Sequence, residues 1–195
     1  MLKLLTDQSL RPHPAGGAGT LSGVSASCAL AAGGRVALEF VLRGHWQAVE
    51  PSMQWPPGVT RAGRRRAALW HHTCLELFLG RIDAAPGYLE LNFALTGEWA
   101  AYEFDGYRSG QRELVAAAPA VQVIALPEAL QVRAGLTVPS LQGACAAAPA
   151  WRLNLAAVIE ARAGQFTYWC LQHGQPQPDF HDPAGFALAP LAAGL

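Results

Sequence analysis

Apolar and polar residues alternate with period two along most of the chain. In RVALEFVLR, residues 35–43, Val36, Leu38, Phe40 and Leu42 fall on one side. YLELNFAL, residues 88–95, does the same with Leu89, Leu91, Phe93 and Leu95, and RLNLAAVIE, residues 152–160, with Leu153, Leu155, Ala157 and Ile159. Such alternation marks a strand with one buried face. It predicts further strands near 21–30, 74–79, 98–105, 120–125, 130–138, 165–172 and 186–191. Gly, Pro and Asp separate them in RIDAAPG, LTGE, FDGYRSG and ALPEAL. No long amphipathic helix competes. About ten short strands with turn signals between them predict an all-β fold, an antiparallel β-sandwich of jelly-roll-like type with little helix. The length of 195 residues suits one domain spanning 1–195. The longest irregular stretch runs from Gly44 to about Ala68 and holds Trp46, Trp55, Pro56 and Pro57. A loop of this length is functional or mobile in a compact domain.

In LWHHTCLELFLG, residues 69–80, Leu75, Leu77 and Leu79 alternate inward, so Glu76 faces the other way beside Cys74 and Phe78. If 74–79 pairs with 88–95, both sets of leucines share the core only when paired residue numbers have an even sum. A sum of 168 sets Glu76 opposite Asn92 and Phe78 opposite Glu90, with 81–87 as the loop. Glu76, Glu90 and Asn92 then form one polar cluster, with Cβ atoms separated by roughly 4.5–8 Å. An ordinary solvated sheet face would also accept these residues.

Composition narrows the field. The chain is 51% hydrophobic and 14% charged with formal net charge zero, so neither nucleic acid nor a charged membrane surface is the expected partner. Arg61, Arg64, Arg65 and Arg66 form the one cluster of a single sign, in GVTRAGRRRAAL, and are expected in a solvated loop. The start, MLKLLTDQSLRPHP, lacks a small-residue cleavage site, and no uncharged apolar run approaches 18 residues, giving a soluble cytoplasmic protein as the expectation. Cys28, Cys74, Cys145 and Cys170 have no C-x-x-C spacing and read as free thiols.

Aromatic residues accompany the polar cluster: Trp70, Phe78 and Tyr88 near it in sequence, and Trp169 with Tyr168 and His173 in QFTYWCLQH. Indoles flanking carboxylate and amide groups suit a sugar, whose C–H faces stack on the rings while its hydroxyls bond to Glu and Asn. ALWHHTCLELFL, YLELNFALTGEWAAYEFDGYRSG, RLNLAAVIE and TYWCLQHGQPQPDFHDPAGFAL, in that order, resemble the bacterial DOMON-like proteins related to the family nine carbohydrate-binding modules. The resemblance covers about residues 36–188 and implies a β-sandwich that binds a small sugar-like ligand without catalysis. It implies that Trp70 and Trp169 clamp the sugar and that Glu76 and Asn92 hold its hydroxyls, with Glu90, His71 and His173 at the rim. Glu90 stands where those modules carry an arginine.

Other chemistries compete. Some DOMON domains bind haem, for which Met53 and a histidine would serve, but no C-x-x-C-H motif is present. A metal ion could draw on His71, His72, Cys74, Cys170, His173 and His181, whose spacings match no standard zinc motif. Glu76 and Glu90 could act as the carboxylate pair of a glycan-active enzyme. No cofactor is therefore expected, and the oligomeric state is open. In PQPDFHDPAGFAL, Asp179 and His181 are expected to bond locally and hold that segment across the end of the sandwich.

Overall fold

The computed structural model describes residues 2–17, 19–49, 60–83, 86–143 and 150–190. Among these residues thirteen strands follow in chain order: β1 Leu2–Pro12, β2 Leu21–Ala31, β3 Gly33–Gly44, β4 Thr60–Ala62, β5 Cys74–Arg81, β6 Tyr88–Ala94, β7 Trp99–Phe104, β8 Arg112–Glu113, β9 Ala120–Leu126, β10 Ala129–Gln142, β11 Ala150–Glu160, β12 Phe166–Cys170 and β13 Ala187–Pro190. Among the described residues the only helical turns are short 3₁₀ pieces at Trp46–Ala48, Leu69–His71 and Pro183–Gly185. The expected all-β antiparallel sandwich is the observed architecture.

One sheet has the order β4-β9-β10-β3-β2-β1 and the other β12-β11-β5-β6-β7-β8. They join where the end of β1 leaves β2 and pairs with β12, Arg11 opposite Cys170 and Pro12 opposite Trp169. β11 shares one edge between two partners. Ala150–Leu153 pairs with β13, and Ala156–Glu160 with β12, while β5 occupies the other edge.

Between the sheets lies one continuous apolar layer. Val36, Leu38, Phe40, Leu42 and Val132 enter it from the first sheet, and Leu75, Leu77, Leu79, Leu91, Phe93, Trp151, Leu153 and Leu155 from the second. These are the inward residues of the period-two pattern, so burying them fixes the register of every long strand. The predicted hairpin has the expected pairing: Glu76 lies opposite Asn92 and Phe78 opposite Glu90.

Three strands escape the pattern. In β1 the register shifts between Leu4 and Thr6, and a bulge breaks the alternation that would have announced the strand. β4 and β8 are too short to show a period. The arginine cluster, expected in solvent, is partly structural. Arg65 lies 4.3 Å from the Trp99 ring centroid and donates to the carbonyls of Ala101 at 3.1 Å and Leu114 at 2.8 Å. Arg64 and Arg66 both reach the Glu98 carboxylate at 3.1 Å. Gly63 lets this strap approach, because a Cβ there would overlap the Gly97 carbonyl oxygen.

Candidate functional site

The outer face of the second sheet carries the site. Register sets its side chains in lateral rows. Cys170, Ala156, Glu76, Asn92 and Ala100 form one row across β12, β11, β5, β6 and β7. Asn154, Phe78, Glu90 and Tyr102 form the next. Alanines on both sides of Glu76 and Asn92 leave room above the two polar groups. A second apolar cluster surrounds them, including Phe78, Tyr88, Tyr102, Phe104 and Phe180. The face is therefore not a solvated one: Glu76 and Glu90 are each 3% exposed and Asn92 0%.

A cleft of about 590 Å³ opens over this row, with Glu76 and Glu90 in its lining. Its wall is mostly aromatic, with Trp70, Phe104, Phe166, Tyr168 and Phe180, and its polar members besides the two glutamates are His71, Arg108, Gln111 and His181. Trp70 is 39% exposed and stands on the 3₁₀ turn Leu69–His71, whose first residue Leu69 is buried in the second apolar cluster. Ala68, just before the turn, has φ 58°, the left-handed conformation that turns the chain sharply into it.

The segment from Gly174 to Phe186 covers one side of the cleft, and it is held by buried polar groups. The Asn154 side chain donates to the Phe180 carbonyl at 3.0 Å and accepts from the Leu171 N–H at 3.3 Å. Asp182 accepts from Ala184 N–H at 3.0 Å and from the Gln175 amide at 3.1 Å. Asn154 is fully buried. Replacing it with leucine is expected to strand two backbone groups, lower stability by about 2–3 kcal/mol and loosen the covering segment. Amide exchange at 171–186 checks this, and protection equal to that of the native chain would contradict it.

The floor has an unequal supply of donors and acceptors. Asn92 Nδ2 donates to Glu90 Oε1 at 2.6 Å. That leaves Asn92 Oδ1 and Glu76 Oε1 buried with no protein partner. Buried polar atoms are ordinarily paired, so two unpartnered ones on neighbouring strands, with Glu76 in the cleft lining, make this the candidate site. The Tyr88 hydroxyl accepts the Arg108 N–H at 3.3 Å and shares a hydrogen bond with His181 Nδ1 at 2.7 Å. His181 Nε2 lies 3.9 Å from Glu90 Oε2.

Burial governs the charges. Desolvation raises Glu76 well above the usual carboxylate range, and the neighbouring Glu90 raises it further. Glu90 is pushed up to about 7 by burial, against the opposing pull of the Asn92 hydrogen bond and the Arg108 charge. Burial, with Arg108 nearby, lowers His181 to about 4, so it is neutral at physiological pH. Arg108 itself is paired with Asp179 at 2.8 Å.

Five of the seven residues expected at the site are brought together. Trp70, His71, Glu76 and Glu90 line the cleft, and Asn92 lies in the same row as Glu76 and bonds to Glu90. Trp169 does not join them. It is 6% exposed, sits in the layer between the sheets, and donates from Nε1 to Thr167 Oγ1 at 3.0 Å. Neighbours on a strand point to opposite faces, so Tyr168 takes the cleft side and Trp169 the core side. The two indoles therefore cannot clamp one ligand. His173 is also elsewhere, at the β1–β12 seam, with Nε2 donating to the Arg11 carbonyl at 2.9 Å and its ring 4.6 Å from that of His13.

Sequence reasoning missed Arg108 and the cleft-facing position of His181. The Asp179 contact to His181 N–H at 3.0 Å is local, as expected, but the His181 ring reaches Tyr88 and Glu90. FDGYRSG read only as a turn signal. Within it Arg108 adopts φ 49°, a strained value for a residue other than glycine. The candidate metal ligands disperse. His72 bonds to Glu160 at 2.8 Å, Cys170 lies 3.3 Å from His173 Nδ1, and His181 faces Tyr88. Among the described residues no group of three or more His, Cys, Asp or Glu side chains is placed to hold a metal ion. Met53, the haem candidate, and Cys145 lie outside the described residues, and burial pushes the thiols of Cys28 and Cys170 up to about 12. No described helix is long and apolar enough to cross a membrane.

No family model matches the chain, and no curated protein matches it. Among solved structures it is similar to one named a "putative carbohydrate-binding protein" from Bacteroides uniformis. The TM-score is 0.54 at 14% identity, over 94% of this chain and 85% of that one, a likeness in fold.

Proposed function

We propose that this chain is a DOMON-like sandwich that binds a small carbohydrate or sugar-containing ligand, without turning it over, in the cleft above Glu76 and Asn92. The observation that carries the reading is an aromatic-walled cleft with Glu76 and Glu90 in its lining, where Glu76 Oε1 and the Oδ1 of the neighbouring Asn92 are buried and unpartnered. Sugar hydroxyls donate to such acceptors, and the C–H faces of a pyranose stack on rings such as those of Trp70 and Tyr168. The solved structure of similar fold, named for carbohydrate binding, supports the same class of ligand. Tyr168 replaces Trp169 as the aromatic partner facing the cleft.

A catalytic role for the carboxylates is less well supported. A retaining or inverting glycosidase needs one carboxyl protonated and the other ionised, with environments that push the two apart. Here burial raises both Glu76 and Glu90 in the same direction, so neither is held fully ionised as a nucleophile at neutral pH.

Titration of intrinsic tryptophan fluorescence with mono- and disaccharides tests the binding. Replacing Trp70 with alanine is expected to weaken affinity roughly 2- to 12-fold, the equivalent of about 0.5–1.5 kcal/mol of stacking, with little change in Tm because the ring is half exposed. Unaltered affinity in the folded variant would remove Trp70 from the site.

A further inference from the structure

We propose that the ligand carries a protonated amine, as an amino sugar does, and that its ammonium group sits on the carboxyl groups of Glu76 and Glu90, above Asn92. This deepens the carbohydrate reading and rests on the same cleft. The argument begins with the supply of hydrogen bonds. The Asn92 amide donor is committed to Glu90, which fixes the amide orientation and presents its oxygen. Glu76 lies directly across the strands with a second buried oxygen that has no partner. With both glutamates ionised, the floor offers acceptors at one place. A sugar hydroxyl supplies one donor there and brings lone pairs of its own that need donors. An ammonium supplies three donors and no acceptor.

Charge points the same way. The groups around Glu76 and Glu90 are Cys74 on the same strand as Glu76, Asn92, Tyr88 and Tyr102 on the neighbouring strands, His181 and Arg108 from the covering loops, and His71 and Gln111 in the cleft lining. His181 is neutral, and Arg108 is engaged by Asp179 at 2.8 Å. The floor's two carboxyl groups are therefore without a committed counter-ion. A cation entering between them would favour the ionised forms that burial alone disfavours. The rings of Trp70, Phe104, Tyr168 and Phe180 line the same cleft, and aromatic faces attract a desolvated cation.

Calorimetry on the intact protein at pH 6.5, with glucose, glucosamine, N-acetylglucosamine and methylammonium as probes, tests the inference. Glucosamine is expected to bind at least tenfold more tightly than glucose, with proton release detected as a dependence of the heat on buffer ionisation enthalpy. N-acetylglucosamine, which keeps the ring and loses the charge, is expected to fall to the glucose level or below. In Glu76→Gln the preference for glucosamine over glucose is expected to shrink to within about threefold. Equal affinity for glucose and glucosamine in the native chain would overturn the amine seat and leave the carbohydrate cleft standing. Saturable binding of methylammonium, with neither sugar binding, would retain the amine seat and overturn the carbohydrate reading. Failure of all four probes to bind would overturn both.

Discussion

Trp169→Ala is expected to destabilise the protein by about 3–5 kcal/mol, the usual cost of truncating a large aromatic residue in a packed core. Its indole lies in the layer between the sheets and is held by the Thr167 hydroxyl. β12 pairs there with both β1 and β11, so the ring sits under the junction of the two sheets. The cavity would open where the strands have the least freedom to close it. Ligand affinity of the remaining folded fraction should be nearly native, since Tyr168 and not Trp169 lines the cleft. Trp70→Ala should show the reverse, with stability retained and affinity reduced. Chemical denaturation and ligand titration on both variants separate the two roles. A Trp169→Ala protein of native stability that has lost binding would restore the two-tryptophan clamp.

A fall in stability as pH rises from 6.5 to 8 is the second large expected effect. Glu76 and Glu90 have folded pKa values raised above their unfolded values, so the native state holds more protons than the unfolded state over that interval. Stability then decreases with rising pH until each folded pKa is passed. For Glu90 the rise from 4.5 to about 7 corresponds to a loss on the order of 3 kcal/mol accumulated from pH 4.5 upward, of which about 1 kcal/mol or less falls above pH 6.5 and the rest of the decline there comes from Glu76. His181 acts in the opposite sense. Its folded value is depressed to about 4, so it removes stability as pH falls below 6.5, and His173, also lowered, does the same. Between about 4.5 and 6.5 these terms offset Glu90, whereas above 6.5 the two glutamates act alone. Asp179 and Glu98, whose values are lowered, lose their contribution only in more acidic solution. Glu76→Gln and Glu90→Gln together should therefore raise Tm at pH 8 and abolish the decline above 6.5. A native Tm that is constant or rising from pH 6.5 to 8 would show that the carboxyls ionise without cost.

The strand pattern and the β5–β6 register were legible because both follow from one constraint. Leucines at alternate positions must reach a common core, and only an even sum of paired numbers allows this for 74–79 and 88–95. The same parity put Glu76, Glu90 and Asn92 on one face. β1 was not legible, because its bulge shifts the pattern midway.

Parity also explains the error over Trp169. A tryptophan near the site in the folded chain can belong to either face, and in QFTYWC the side that Trp169 takes depends on how β12 meets β1 and β11. Arg108 and His181 were hidden for a different reason. They reach Glu90 from loops far away in sequence, through a turn with a left-handed arginine and a covering segment tied down by Asn154. Local sequence thus determined the strands, their inward residues and the carboxylate row, because side-chain direction along a strand is a nearest-neighbour property. Tertiary structure alone decided that this row is buried, which aromatic rings close over it and how its acids titrate, because desolvation depends on what the rest of the chain lays on top.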